Sequence, residues 1–82
     1  MLADQPNSLQ GGIGLAFVQT LRGGSELDEA ENTVRTLLAR SPSQPRAHYL
    51  LGLIQERRRR PEDASASFKK SAELLLERAE QE

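Results

Sequence analysis

The sequence predicts an all-α protein in which four antiparallel helices form two helix-turn-helix units and the last helix is the longest. Three observations support this prediction. Apolar side chains recur at intervals of three and four residues, which is the spacing of one helix face. Glycine and proline interrupt that pattern at Gly23-Gly24, at residues 41–45 and at Pro61. Part of the pattern then repeats after 34 residues.

Size and composition limit the chain to one small domain that is stabilised by packing. Of its 82 residues, 37% are hydrophobic and none is cysteine, so neither a disulfide nor a thiolate metal site contributes. The 11 Lys and Arg against 12 Asp and Glu give a net charge of −1, which argues against a dedicated nucleic-acid binder. No apolar run approaches the ~20 residues that span a bilayer, and the N-terminus does not resemble a signal peptide. The lack of cysteine fits the cytoplasm, which we favour, and the periplasm alike.

The first helix is predicted from Leu9 to about Arg22, after a disordered lead-in over residues 1–7. Ser8 is a suitable cap for its first turn. Gly23-Gly24 ends it, because glycine accepts the left-handed conformation that closes helices. One face of this helix is formed by Ile13, Ala16, Phe17 and Thr20.

The other three helices follow the same logic. The second begins at Ser25, with Asp28 three residues later as a weak capping box, and residues 41–45 end it. The third runs from Pro45 to about Arg58, since proline is tolerated in a first turn. The fourth begins near Pro61 and meets no later glycine or proline, so we expect about 18–20 residues. The apolar stripe of the second helix is Leu27, Ala30, Val34, Leu37 and Leu38.

The 34-residue spacing relates two units, residues 11–44 and 45–78, within a single domain over residues 8–82. It pairs Ala30 with Ala64 and Val34 with Phe68. A small side chain at a helix crossing lets two backbones approach, and an apolar residue one turn later fills the adjacent space. The same shift pairs Phe17 with Leu51 and Leu15 with Tyr49.

This pattern resembles the tetratricopeptide repeat, a 34-residue helix-turn-helix unit. The second unit shows the resemblance best, through Leu51-Gly52, Ala64 and Phe68, whereas Val18 stands at the glycine position of the first. An unrelated four-helix bundle with a coincidental spacing is the alternative fold. The resemblance implies structural roles at seven positions: Phe17, Ala30, Val34, Leu51, Gly52, Ala64 and Phe68.

The third helix has more apolar residues than one buried face requires. Tyr49 and Leu53 lie away from the side on which Ala47, Leu50, Leu51 and Ile54 cluster. The resemblance implies that this second stripe lines a concave groove that receives peptides. It assigns seven residues to partner binding: Leu15, Gln19, Arg22, Arg46, Tyr49, Leu53 and Arg57. Packing of Tyr49 and Leu53 against the preceding unit is the structural alternative.

The residues at the carboxylate-binding positions of the family indicate which class of peptide the groove binds. A subgroup of the family grips the C-terminal carboxylate of its ligand through lysine and asparagine. Leu15, Gln19 and Leu50 stand at the corresponding positions here. The resemblance therefore implies an apolar or mixed peptide.

Residues 57–60 are four consecutive arginines, the densest charge in the chain. They suit either an acidic or phosphate-bearing partner or a solvated helix end, where cations favour the negative end of the dipole. His48 is the single histidine and cysteine is absent, so no catalytic triad, metal site or cofactor site can be assembled from the sequence. We therefore expect no enzymatic activity.

Leu74, Leu75 and Leu76 place apolar groups on three sides of the last helix, more than one neighbour covers. We expect that surface to meet a further repeat, a second copy of the chain or a partner. The sequence thus predicts a protein-interaction scaffold that binds a peptide or partner protein and neither nucleic acid nor a membrane interior. The alternative is a structural spacer or an oligomerisation segment of a larger multidomain protein, enzymes included.

Overall fold

The computed structural model describes the backbone of residues 9–81 and the side chains of residues 11–80. This part of the chain forms four α-helices: α1 (Leu9–Arg22), α2 (Glu26–Arg40), α3 (Pro45–Arg57) and α4 (Pro61–Gln81). The predicted all-α architecture is confirmed, and α4 is the longest helix, at 21 residues. The proposed lead-in and the Ser8 cap lie outside the described residues.

The helices form a flat stack of two hairpins. Short connections make consecutive helices antiparallel, so α1 packs on α2 and α3 packs on α4. The α3 helix joins the hairpins by contacting both α1 and α2, whereas α4 contacts only α3 among the described elements. The stack measures 39 × 38 × 18 Å along its principal axes. The second unit therefore rests on the first through α3.

The α1–α2 turn differs from its prediction at the start of α2. Gly23 and Gly24 take positive φ angles of 69° and 59°, as expected for the glycines that end a helix. Ser25 has helical dihedrals and makes no side-chain capping bond, so the predicted capping box is wrong and α2 begins at Glu26. The reason is that the Asp28 carboxylate instead accepts a hydrogen bond from Arg58.

The α3 helix ends in a Schellman motif built on an arginine. The Arg60 N–H donates to the Gln55 carbonyl at 2.8 Å, and the Arg59 N–H donates to the Glu56 carbonyl at 3.0 Å. This pattern needs a left-handed residue at its centre, normally glycine, and Arg59 supplies it with a φ of 63°. A left-handed conformation costs a non-glycine residue about 1–2 kcal/mol.

Arg59→Gly is therefore expected to stabilise the fold. Relief of the left-handed conformation exceeds the extra chain entropy of glycine, which leaves a gain of about 0.5–1 kcal/mol. A gain of this size raises Tm by a few degrees in a domain of this length. Thermal unfolding followed by circular dichroism measures it, with Arg60→Gly as the matched control. An unchanged or lower Tm for Arg59→Gly would show that the motif is relaxed as it stands.

The core lies where α3 meets the first hairpin. Its fully or almost fully buried members are Ala16, Ala30, Val34, Ala47, Leu50, Leu51 and Ile54, with Ile13, Leu27, Leu38 and Leu53 packed around them. The predicted apolar face of α3 is thereby confirmed, and so is the burial of Ala30 and Ala64 at the helix crossings.

Gly52 marks the closest approach within the second hairpin. A Cβ atom at this position would lie 2.5 Å from Cε1 of Phe68 and 2.7 Å from Cδ1. The absence of a side chain therefore lets the Phe68 ring lie directly against the α3 backbone. Phe68 itself is partly exposed, so the expectation that it belongs to the closed core is only partly right.

The first hairpin does not follow the 34-residue register in its first helix. Val18, which that register places opposite Gly52, is 43% exposed, whereas Ala16 is fully buried. A shift of 36 residues places Ala16 on Gly52 and Gln19 on Gln55, and both glutamines are buried. The α2 and α4 helices keep the 34-residue shift, which pairs the buried Ala30 with the buried Ala64. The first hairpin therefore has two more residues between Ala16 and Ala30 than the second hairpin has between Gly52 and Ala64.

This register changes the role of Phe17. The 34-residue pairing with Leu51 predicted a buried structural residue, but Phe17 is 43% exposed while Leu51 is buried. In the 36-residue register Phe17 corresponds to Leu53, and Leu15 takes the place of Leu51. The prediction for Phe17 is wrong because the two extra residues turn the helix face by about 200°, at 100° per residue.

Part of the arginine run holds the two units together. Arg58 donates a hydrogen bond to the Asp28 carboxylate, and its Nε lies 3.1 Å from Oε1 of Glu31. Asp28 and Glu31 lie on α2, so this ion pair bridges the hairpins. Its hydrogen bond to the Asp28 carboxylate also raises the pKa of Arg58 above its ordinary value. The solvated-end interpretation is therefore wrong for Arg58, which is three-quarters buried.

Candidate functional site

An open groove runs between α1 and α3. It encloses about 330 Å³. Both helices contribute lining residues, since α3 packs against α1 as well as against α2. Its lining residues are Ile13, Gly14, Phe17, Arg46, Tyr49 and Leu50. We call this surface the α1–α3 groove.

Two exposed aromatic side chains give the α1–α3 groove its apolar surface. Phe17 is 43% exposed and Tyr49 is 50% exposed. They come from different helices, so the groove depends on how α1 and α3 pack. Gly14 also lines the groove, and no heavy atom lies within 4 Å of the position that its Cβ would take.

The Tyr49 ring also contacts the Phe68 ring of α4. The two rings are tilted by 49° with their centroids 5.3 Å apart, a favourable geometry for an aromatic pair. The Phe68 ring in turn rests against Gly52. Tyr49 thus contacts its own hairpin and also lines the groove with Ile13 and Phe17 of the preceding unit, so packing against that unit stays the structural alternative.

Arg46 and Tyr49 both line the α1–α3 groove. Leu53 lies instead in a second, wider groove between α3 and α4, of about 500 Å³. Arg57 is exposed and lines neither groove. The second surface, here called the α3–α4 groove, is formed by Tyr49, Leu53, Glu56, Phe68, Ser71, Ala72 and Leu75.

The three binding residues predicted on α1 do not line the α1–α3 groove. Leu15 is exposed on another face of α1. Gln19 is buried, and its Nε2 donates to Oε1 of Glu29 at 3.3 Å. Arg22 lies at the end of the helix with its guanidinium 3.5 Å from the Glu26 carboxylate. These assignments rested on the 34-residue shift, and a role of the three residues in partner binding stays a prediction.

The register of α1 explains which residues take their place. The 36-residue shift matches Tyr49 with Ile13 and Leu53 with Phe17, and both α1 residues line the groove. The sequence holds a signal for this shift, because it aligns three identical residues: Leu15 with Leu51, Gln19 with Gln55 and Arg22 with Arg58. The 34-residue shift aligns no identical pair among these α1 positions.

The described residues can be compared with the requirements of a metal site, a membrane span and a recognition surface. No group of three or more His, Asp or Glu side chains in this part of the chain is arranged to hold a metal ion. Among the described helices, none is both long and apolar enough to cross a membrane. What the α1–α3 groove presents is apolar and aromatic surface, with one arginine at its rim.

The fold is thus that of a helical-repeat protein, with two stacked helix-turn-helix units and an open groove on the first helices. A family model for the tetratricopeptide repeat matches residues 15–80. The chain belongs to the tetratricopeptide repeat family, whose repeats generally mediate protein–protein interaction. No curated protein and no solved structure matches the chain.

Proposed function

We propose that this chain is an interaction module that binds a segment of a partner protein in the α1–α3 groove. The observation that carries the proposal is the exposure of Phe17 and Tyr49, on two different helices, in one concave surface. Exposed aromatic side chains set in a pocket with a polar rim are typical of binding hot spots. Because Phe68 packs against one face of Tyr49, binding requires little ordering of that ring.

The groove favours an apolar side chain as the central anchor of the bound segment. Its size, about 330 Å³, fits one or two side chains rather than a folded domain surface. Arg46 adds positive charge to the rim, so an acidic residue beside the apolar anchor is preferred. We infer a short segment, extended or helical, with an apolar residue flanked by Asp or Glu.

The proposal assigns the chain no catalytic role, since its groove holds no nucleophile with an adjacent base. The remaining alternative is a structural spacer or an oligomerisation segment. A spacer would need the core and the hairpin crossings but not the exposed rings of Phe17 and Tyr49. Substitution of Phe17 therefore separates the two functions.

Selection from a displayed library of random peptides tests the proposal. We expect peptides with an apolar anchor and acidic flanks to be enriched on the wild-type chain. Phe17→Ala should weaken their binding at least tenfold, because truncation of a hot-spot residue costs about 2 kcal/mol or more and each 1.4 kcal/mol is a factor of ten. Isothermal titration calorimetry with one selected peptide measures the change.

Leu21→Ala is the matched control, because Leu21 is an exposed apolar residue of α1 that does not line the groove. It should leave the peptide affinity unchanged. The proposal is wrong if no peptide is enriched. It is equally wrong if Phe17→Ala and Leu21→Ala bind the selected peptide as well as the wild type does.

A further inference from the structure

The second hairpin stacks on the first through an interface with two halves. Each half has a counterpart at one end of the molecule, and both counterparts are uncovered. In the 36-residue register, Leu15 and Val18 of α1 correspond to Leu51 and Ile54 of α3. Leu51 is 8% and Ile54 0% exposed, because they pack in the core shared with the first hairpin. Leu15 is 54% and Val18 43% exposed. The α1 helix therefore presents, uncovered, the face that α3 uses for stacking.

The opposite end of the molecule carries the receiving half of that interface. Val34 is fully buried within the core that α3 completes. Its counterpart Phe68 is only partly buried, and Ala72, the counterpart of Leu38, is exposed. Both residues line the α3–α4 groove, together with the exposed Leu75. This groove is thus the receiving surface of the second hairpin, with no helix of the described chain packed in it.

The charges at the two ends match as well. Within the chain, stacking is accompanied by the ion pair between Arg58 and Asp28. The 36-residue shift places Arg22 at the position of Arg58, and the 34-residue shift places Glu62 at that of Asp28. Both Arg22 and Glu62 are exposed. An α1 helix seated in the α3–α4 groove would bring these opposite charges together as the internal interface does.

We propose that the occupant of the α3–α4 groove is the α1 face of a second copy of this chain. The contact repeats, between molecules, the arrangement that places α3 on the first hairpin. It is heterologous, since each copy contributes a different surface, and such contacts extend into open assemblies rather than closed dimers. Tyr49 lines both grooves, so this contact shares Tyr49 with the proposed peptide site, whereas Phe17 and Arg46 lie outside the α3–α4 groove.

Two capping variants test the proposal. Leu15→Glu blocks the α1 face and Ala72→Glu blocks the α3–α4 groove, and both side chains are exposed, so each variant is expected to fold. Sedimentation equilibrium over a concentration series should show that the wild-type mass average rises continuously without a plateau at the dimer. Each variant alone should remain a monomer. An equimolar mixture of the two should form a dimer and nothing larger, because one intact surface of each kind remains.

Several results would overturn the proposal. They are a wild-type chain that stays monomeric up to millimolar concentration, self-association of either variant alone, or a mixture that stays monomeric. Circular dichroism of each variant, with helix content matching the wild type, shows that the result reflects the surface and not unfolding. Peptide titration of monomeric Leu15→Glu is the separating measurement. Retained peptide binding with failed assembly overturns only this inference, and lost peptide binding with intact assembly overturns only the proposed function.

Discussion

Ile54→Ala is expected to destabilise the protein by about 2–5 kcal/mol. Ile54 is fully buried and is one of the largest such side chains in the described part of the chain. It lies in the core cluster shared by α3 and the first hairpin, so its removal leaves a cavity where the two units meet. A domain of this length has a total stability of roughly 4–12 kcal/mol. The substitution therefore removes a large share of it.

Urea unfolding measures this loss as a decrease in the transition midpoint. Leu76→Ala is the matched control, since Leu76 is 63% exposed and its truncation should change the free energy of unfolding by less than about 0.5 kcal/mol. Equal midpoints for Ile54→Ala and Leu76→Ala would contradict the stacking of α3 on the first hairpin.

Gly52→Ala is expected to destabilise the protein by about 1–3 kcal/mol, although alanine is the better helix former by about 1 kcal/mol. The added Cβ would lie within 3.0 Å of three atoms of the Phe68 ring, so the whole ring must move. That movement also disturbs the contact between Phe68 and Tyr49. Overpacking therefore outweighs helix propensity at this position.

Gly14→Ala is expected to change the stability in the opposite direction. Gly14 is also helical, but its Cβ would meet no heavy atom within 4 Å, so propensity alone acts and Tm should rise. Adding Phe68→Leu to Gly52→Ala should recover part of the lost stability, with a coupling free energy of at least about 0.5 kcal/mol in a double-mutant cycle. A higher Tm for Gly52→Ala, or strict additivity with Phe68→Leu, would show that Gly52 is not the crossing point.

Much of the fold could be predicted from the sequence because local chemistry determines it. Gly23-Gly24, Pro45 and Pro61 divide the chain where the helices begin and end. The apolar spacing of α3 identifies its buried face, since Leu50, Leu51 and Ile54 all lie in the core. These features depend on the backbone and on one helix face at a time, which sequence patterns describe well.

The candidate site was predicted less well because it depends on the register between two helices. Two extra residues in the first hairpin turn α1, so that Phe17 lines the groove and Gln19 is buried. On α3, where the second hairpin fits the 34-residue pattern, Tyr49 lines the groove, and its role in binding stays a prediction. A helix periodicity shows which residues share a face but does not show which face meets the neighbour.

The arginine run shows a second limit of sequence patterns. Four consecutive arginines look equivalent in the sequence, but Arg58 and Arg59 take different roles. Arg58 pairs with Asp28, which is 30 residues away, and Arg59 takes the left-handed position that ends α3. A contact over that sequence separation depends on the stacking of the hairpins, so composition alone could not assign it.

If Phe17 and Tyr49 form one recognition surface across α1 and α3, a bound peptide must contact both rings. Nuclear magnetic resonance titration of the labelled chain with a selected peptide measures this. We expect the largest shift changes at the side chains of Ile13, Phe17 and Tyr49, with Val18 and Leu21 unchanged. Changes concentrated at Val18 and Leu21, with the rings of Phe17 and Tyr49 unaffected, would contradict it.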